Sequence, residues 1–454
     1  MESDAGHGSA SATLVRDGVT DARVAAARIL ADLRRGELLD VAFDRHTSAL
    51  DARDRRWVHE LIYGLLRQRD ALDAELQPRV RGGLARRDAD LVDLLRLGVH
   101  QLLYMRSVPP YAAIGQTVEL AKIRHGVGAS RLVNAVLRRI DRERDQRVDP
   151  AALARDDVDA LALRHSHPRW LVERWLSQWG AEDTRRLLEH NNQEAPIVVR
   201  PFGLVREQLE TALERSGVHV EDAPLVPDSL RLSGAGVLTQ LGAWRHGWFF
   251  VQDPAATLVT RYAAFPPGVV VGDLAAAPGG KALELSRHAA TVVATDRSLP
   301  RLERLRENLT RLDVRNVFLV AMDARQPAVK SLPAVLLDVP CTGTGTFRRH
   351  PDARWRLRMS DVAVLSVLQR EMLESAAAIV ERGGLLVYAT CSLEPEENDE
   401  QVDAFLAAHP EWTLEPPPEG SVPAEVLDRG RLRVLPQRHG TDGAFAARLR
   451  KIAA

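Results

Sequence analysis

VVVGDLAAAPGGK (residues 269–281) decides how this chain is read. Its opening valines make a short β-branched run, the form of a strand buried on both faces of a sheet. The run gives way to small residues and then to Gly279 and Gly280, where the backbone can approach a ligand closely and a helix can begin. The N-terminus of that helix favours a carboxylate or a phosphate. The spacing is not the GxGxxG of dinucleotide-binding turns, which argues against a nicotinamide cofactor.

Four similar runs follow: TVVATD (291–296), VFLVAMD (317–323), AVLLDVP (334–340) and LLVYATC (385–391). Helical stretches lie between them, notably 299–312 and 360–382. The alternation predicts a mostly parallel sheet covered by helices on both faces. Such sheets bind ligands outside the carboxyl ends of their strands. Asp296, at the second strand end, suits two ribose hydroxyls, and Asp323, at the third, is placed for the adenine amino group. With the glycine loop they fit a nucleoside joined to an amino-acid carboxylate, and S-adenosylmethionine is such a ligand.

The fourth strand runs into DVPCTGTGTFRRHPD (338–352) and the fifth into YATCSLEPEEN (388–398). The only two cysteines of the chain, Cys341 and Cys391, therefore both stand at the ligand edge. A thiolate is a strong nucleophile when its surroundings lower its pKa. Added to carbon 6 of a cytosine, it makes carbon 5 electron-rich enough to take a methyl group. That chemistry also needs a donor at the N3 side of the ring and a means of releasing the adduct. Arg348, Arg349, His350, Arg354, Arg356 and Arg358 crowd the loop after Cys341, an arrangement expected to contact RNA phosphates.

The chain has 454 residues, 45% hydrophobic and 27% charged, the composition of an ordinary globular protein. Its length suggests about three domains at roughly 150 residues each. No apolar run approaches the ~20 residues that span a bilayer, so no membrane association is expected. MESDAGHGSASATLVRDG at the N-terminus has neither a basic start nor a hydrophobic centre, and reads as a flexible tail (1–18) rather than a secretory signal. A net charge of -1 excludes a uniformly basic coat but not local basic patches. Two cysteines without CxxC spacing give no disulfide framework and no metal site, and suit a reducing, cytoplasmic compartment.

Residues 19–145 read as all-helical. Val58, Ile62 and Leu66 recur at four-residue spacing, as do Trp57, Leu61 and Leu65; Leu91, Leu94, Leu95, Leu102 and Leu103 mark another apolar face, and Leu132, Val133, Val136, Leu137 and Ile140 a third. This stretch carries 23 Lys/Arg against 18 Asp/Glu, which fits either a plain bundle or an RNA-binding one. Residues 146–240 form a mixed connector with a tryptophan-containing helix, the strand-like IVVRPF and a helix near 205–216. Residues 241–454 form the strand–helix domain.

Taken together the motifs resemble the RsmB/Sun family of ribosomal-RNA 5-methylcytosine methyltransferases, over residues 20 to 450. DLAAAPGGK resembles that family's cofactor loop, DVPCTGTGTFRRHPD its Pro-Cys motif and YATCSLEPEENDEQV its Thr-Cys motif. WFFVQDPAA (248–256) resembles the segment before the cofactor loop, and LPQRHGTDGAFAARLRK (435–451) the closing hairpin. LIYGLLRQRDALD (61–73), LLRLGVHQLLYMRSVP (94–109) and LVNAVLRRI (132–140) resemble its NusB-like domain, which turns the plain bundle into an RNA-docking module.

The resemblance implies a Rossmann-like methyltransferase domain with a mixed, mostly parallel sheet whose last strand is antiparallel, preceded by an all-α NusB-like domain and a small α/β connector. It makes Cys391 the nucleophile and Cys341 the residue that assists product release. Asp338 contacts the cytosine and the reactive end of the cofactor. Ala275, Ala276, Ala277, Pro278, Gly279, Gly280 and Lys281, with Asp296, Asp323 and Asp338, hold S-adenosyl-L-methionine. The expected partner is ribosomal RNA, most readily that of the small subunit, and the expected state is a monomer; the alternatives are transfer RNA or another ribosomal cytosine as substrate, and a non-catalytic RNA-binding assembly factor, against which the intact Cys341, Cys391, Asp338 and cofactor loop argue. The family's loop often has a cysteine where this chain has Ala275, so that position is given no chemistry.

Overall fold

The computed structural model describes residues 15–16, 18–144 and 157–453. The expected tail lies almost wholly outside these residues, and the expected boundary at 145/146 wholly outside. The chain divides into two compact units, residues 1–181 and 182–454.

Among its described residues, the first unit is helical apart from one antiparallel pair, β1 (Val15–Arg16) and β2 (Val19–Thr20). Its main helices are Asp21–Arg34, Leu39–Thr47, Ala52–Arg67, Arg69–Leu76, Ala89–Tyr104 and Pro110–Glu143. Aspartates start two of them: Asp51 accepts from the Asp54 N–H at 2.8 Å, and Asp88 from the Asp90 N–H at 2.9 Å. Such caps satisfy backbone donors that the first helical turn leaves open. The apolar faces read from the sequence are the core: Val58, Leu61, Ile62, Leu65, Leu95, Val133, Val136, Leu137 and Ile140 are all buried. Trp57 and Leu103 are only half-buried.

The second unit holds two sheets. The smaller contains β3 (Ile197–Pro201), β4 (His219–Asp222), β5 (Leu230–Ser233) and β6 (Phe249–Val251), in the antiparallel order β4-β5-β3-β6. The predicted helix near 205–216 is Arg206–Arg215. β6 comes from the WFFVQDPAA segment assigned to the domain from 241 onward. It pairs instead with β3 of the connector, burying Phe249 and Phe250.

The larger sheet has nine strands. In chain order they are β7 (Val270–Asp273), β8 (Thr291–Asp296), β9 (Val317–Ala321), β10 (Leu332–Asp338), β11 (Val380–Thr390), β12 (Trp412–Leu414), β13 (Leu427–Asp428), β14 (Arg431–Val434) and β15 (Ala444–Lys451). The spatial order is β13-β14-β15-β11-β10-β7-β8-β9, with β12 also on β15. β9, β8, β7, β10 and β11 are mutually parallel, and β15 runs antiparallel to β11. The sheet is therefore mixed and mostly parallel, with an antiparallel closing strand, as the resemblance implies.

Alternation along these strands feeds two cores. Val271, Ala294, Leu336 and Val387 pack with Leu258, Val259 and Tyr262 of helix Pro254–Ala263. Val335, Leu337, Leu386 and Tyr388 pack on the other face with Met372, Leu373 and Ala376 of helix Met359–Ala378 and Phe405 of helix Asp399–Ala408. That helix ends at Ala378, short of the predicted 382, because residues 380–384 already belong to β11. Burying each valine, leucine, methionine or phenylalanine among them contributes roughly 1.5–3 kcal/mol, which fixes the register and with it the position of every strand end.

Candidate active site

The strand order reverses between β7 and β10: from β7 the chain builds outward through β8 to β9, then returns to lay β10 on the other side. Loops leaving adjacent strands in opposite directions open a crevice at such a point. The DLAAAPGGK loop leaves β7 on one side of it and the Cys341 loop leaves β10 on the other.

Parallel register brings the cysteines together. Asp338 of β10 pairs with Ala389 of β11, so the turns carrying Cys341 and Cys391 emerge side by side. Their sulfurs lie 3.1 Å apart, and the Cys391 N–H donates to Cys341 Sγ at 3.3 Å. The Gly345 N–H donates to the Cys391 carbonyl at 3.0 Å, and the Gly443 N–H to the Gly345 carbonyl at 2.8 Å. A Cβ on Gly345 would sit 2.7 Å from that Cys391 oxygen and 2.8 Å from the Gly443 Cα. Only glycine permits this stacking of three backbones.

The hydrogen bond with Cys391, then burial and neighbouring negative charge, push Cys341 well above the ordinary thiol range. Cys341 therefore stays a neutral thiol. Beside the pair, Lys281 Nζ donates to Asp338 Oδ2 at 2.6 Å. Burial opposes the lysine's charge, but the Asp338 carboxylate outweighs it and raises the lysine pKa.

The cofactor loop follows β7, and two of its neighbours are buried polar groups with unused capacity. Asp273 is fully buried and neither carboxylate oxygen has a donor in hydrogen-bond geometry; the nearby Ala275 N–H exerts only a weak pull. Burial and then the Asp338 charge push its pKa up to about 7. Gln252 Nε2 is likewise buried without an acceptor, 2.9 Å from where a Gly280 Cβ would lie. An acceptor pair and a donor left open at a glycine-lined loop fit the ammonium and carboxylate of an amino-acid ligand, as S-adenosylmethionine presents. Asp296 is buried at the end of β8, where it accepts from the Ser298 N–H at 2.8 Å and pairs with Arg301 at 3.1 Å. Asp323, just beyond β9, is more exposed and is engaged by Arg325, whose guanidinium lowers its pKa to about 2. Asp273 and Gln252 were not among the residues singled out in the sequence.

Three of the arginines after Cys341 are turned inward and do not offer the expected phosphate-binding surface, whereas Arg356 and Arg358 are exposed. Arg354 is 0% exposed, and its guanidinium donates to Asn192 Oδ1 at 2.8 Å and to the Asn191 carbonyl at 2.9 Å. Arg349 bridges two buried carboxylates, Asp253 and Asp442, each at 2.6 Å. Arg348 is 5% exposed and reaches the Gly440 carbonyl. These three tie the loop after Cys341 to distant segments, since a guanidinium taken out of water needs acceptors to offset its desolvation. His350 is half-buried and has partners of its own. Replacing Arg349 with alanine is expected to destabilise the fold by about 3–5 kcal/mol, since two buried carboxylates lose their counter-charge. Urea unfolding measures this; a loss under about 1 kcal/mol would return Arg349 to the role of a surface contact.

Among the described residues, no helix is long and apolar enough to cross a membrane, and no group of three or more His, Cys, Asp or Glu is placed to hold a metal ion.

Comparison with known proteins agrees with this architecture. The family model for 16S rRNA methyltransferase RsmB/F matches residues 267–450, that for the NusB family residues 20–142, and that for an RsmF/B-like ferredoxin-like domain residues 167–239. The probable ribosomal RNA small subunit methyltransferase B of Synechocystis is 35% identical over 447 residues, covering 95% of this chain and 99% of that protein. Ribosomal RNA small subunit methyltransferase B of Vibrio cholerae is 36% identical, covering 92% and 94%. The crystal structure of PH0851 superposes with a TM-score of 0.79 at 28% identity, covering 94% of this chain and 98% of that one. With the two-cysteine crevice on a methyltransferase sheet, and full-length relatives at this identity, the chain belongs to the RsmB family of S-adenosylmethionine-dependent methyltransferases.

Proposed function

We propose that this protein methylates carbon 5 of a cytosine in small-subunit ribosomal RNA through a transient bond between Cys391 and carbon 6 of the base. The observation that carries the reading is the pair of thiols 3.1 Å apart at adjacent strand ends, beside the Lys281–Asp338 pair. Neither a nitrogen nor an oxygen methyltransferase needs a second thiol against the first. The ribosomal substrate is inferred from the named relatives, and RNA docking by the helical unit from its NusB match.

The residues divide the work. The Cys391 thiolate adds to carbon 6, while Asp338, steadied by Lys281, faces the N3 side of the ring and favours the charge distribution that makes carbon 5 nucleophilic. Bound S-adenosylmethionine supplies an electrophilic methyl group; Asp273, Gln252, the 275–281 loop and Asp296 would hold it. Solvent water then takes the carbon-5 proton, which re-forms the carbon 5–carbon 6 double bond and expels the Cys391 thiolate, and Cys341, a neutral thiol in contact with that sulfur, assists its departure by donating a hydrogen bond to it. The base must be unpaired or flipped out for a thiol to reach carbon 6.

Bisulfite sequencing of small-subunit ribosomal RNA from cells with and without this protein tests the reading. One protected cytosine is expected to become convertible in its absence. An unchanged pattern there would move the substrate elsewhere.

A further inference from the structure

Glu397 is wholly buried, one turn past Cys391, and is unused by the reaction as described above. Its carboxylate gathers four donors. Oε1 accepts from the Thr342 N–H at 2.9 Å and from Gln369 Nε2 at 2.8 Å, and Oε2 from the hydroxyls of Thr342 and Ser392. Thr342 directly follows Cys341, and Ser392 directly follows Cys391. The two hydroxyls also meet each other at 3.0 Å. One side chain therefore holds the residue after each cysteine. The Glu397 carbonyl accepts from the Tyr388 hydroxyl at 2.6 Å, which anchors the turn to β11.

We propose that Glu397 is the positioning residue of the two-thiol site, clamping the Cys341 and Cys391 turns together. The inference rests on the two-cysteine reading above. A buried carboxylate with all its lone pairs taken is held rigidly, and breaking it leaves several donors unsatisfied. Its charge acts on Cys341, where it opposes formation of a second thiolate. The other titratable or charged groups around the two thiols are Tyr388 on β11, which faces Cys341, and the Lys281–Asp338 pair, whose lysine faces Cys391. Among these only Lys281 is cationic, and Asp338 already holds it.

Two variants separate clamp from charge, and neither measurement needs RNA. Glu397→Ala removes the clamp, so closure of the Cys341–Cys391 disulfide by diamide, followed by mass spectrometry, is expected to slow about tenfold or more, because disulfide geometry tolerates little displacement. Glu397→Gln keeps the shape and removes the charge. In a Cys391→Ser background it is expected to lower the pH at which Cys341 is half-alkylated by iodoacetamide by about one unit. If Glu397→Ala does not fold, the Glu397→Gln profile decides. Unchanged disulfide closure together with an unchanged alkylation profile would overturn the proposal, even if melting fell, since that is what a merely structural carboxylate would give. A failure of the nucleophile reading shows separately, as methyl transfer surviving Cys391→Ala.

Discussion

Replacing Cys391 with alanine is expected to abolish methyl transfer, whereas replacing Cys341 with alanine is expected to leave the protein covalently attached to its RNA. The asymmetry follows from where each thiol acts. Without Cys391 no bond forms at carbon 6, and carbon 5 is too weak a nucleophile to take the methyl group. The loss should be on the order of 10⁴-fold or more, the scale seen when a covalent nucleophile is removed. Without Cys341 the bond still forms but its release is slowed. A protein–RNA species that survives denaturing electrophoresis should build up, and it should vanish in the double variant. Normal turnover by Cys391→Ala would sink the nucleophile assignment, and a Cys341→Ala enzyme that releases its RNA freely would remove Cys341 from the mechanism.

Asp273→Asn should have opposite effects on the ligand-free and the cofactor-bound protein. The Asp273 carboxyl titrates near 7 in the fold, against an ordinary value of 3.8. The unfolded chain thus gives up this proton more readily than the folded one. The native state is penalised increasingly as pH rises from about 4 to about 7, and the penalty is constant above that. Its full size is at most about 4 kcal/mol. Asparagine cannot ionise, so the variant should match the wild type near pH 3, below the ordinary carboxyl range, and exceed it at pH 8 in thermal unfolding. With its charge gone, the site loses the partner for a cationic ammonium, and the calorimetric Kd for S-adenosylmethionine should weaken by about tenfold or more. A variant that is no more stable at pH 8 and binds the cofactor as tightly would show that Asp273 is merely a core residue.

The sheet was legible because its strands are short β-branched runs with polar residues where they stop. Asp296, Asp338 and Cys391 could be picked out because each closes such a run. Asp273 was not, because Leu274 and three alanines follow it and the run reads straight through. Glu397 was hidden for the opposite reason: it sits in EPEEN, where three acids in four residues look like solvated loop, and only the fold turns two of them, Glu394 and Glu397, inward. The arginines after Cys341 misled because an arginine's burial depends on partners far along the chain. Asp253, Asp442 and Asn192 meet Arg349 and Arg354 across roughly a hundred residues or more, and no local pattern announces them.

The backbone stack at Gly345 has a consequence for how the protein is made. Cys391 is held from behind by Gly345, and Gly345 by Gly443, which leads into β15. β15 also supplies the antiparallel partner of the strand that ends at Thr390. At about 5–20 residues per second of synthesis, several seconds separate the emergence of Cys391 from that of the strand that seats it. Throughout that interval both thiols are present on a nascent chain with no hairpin to seat them. The thiol pair is thus among the last features of the domain to take shape, and it is least sheltered from oxidants and stray electrophiles while the chain is still being made.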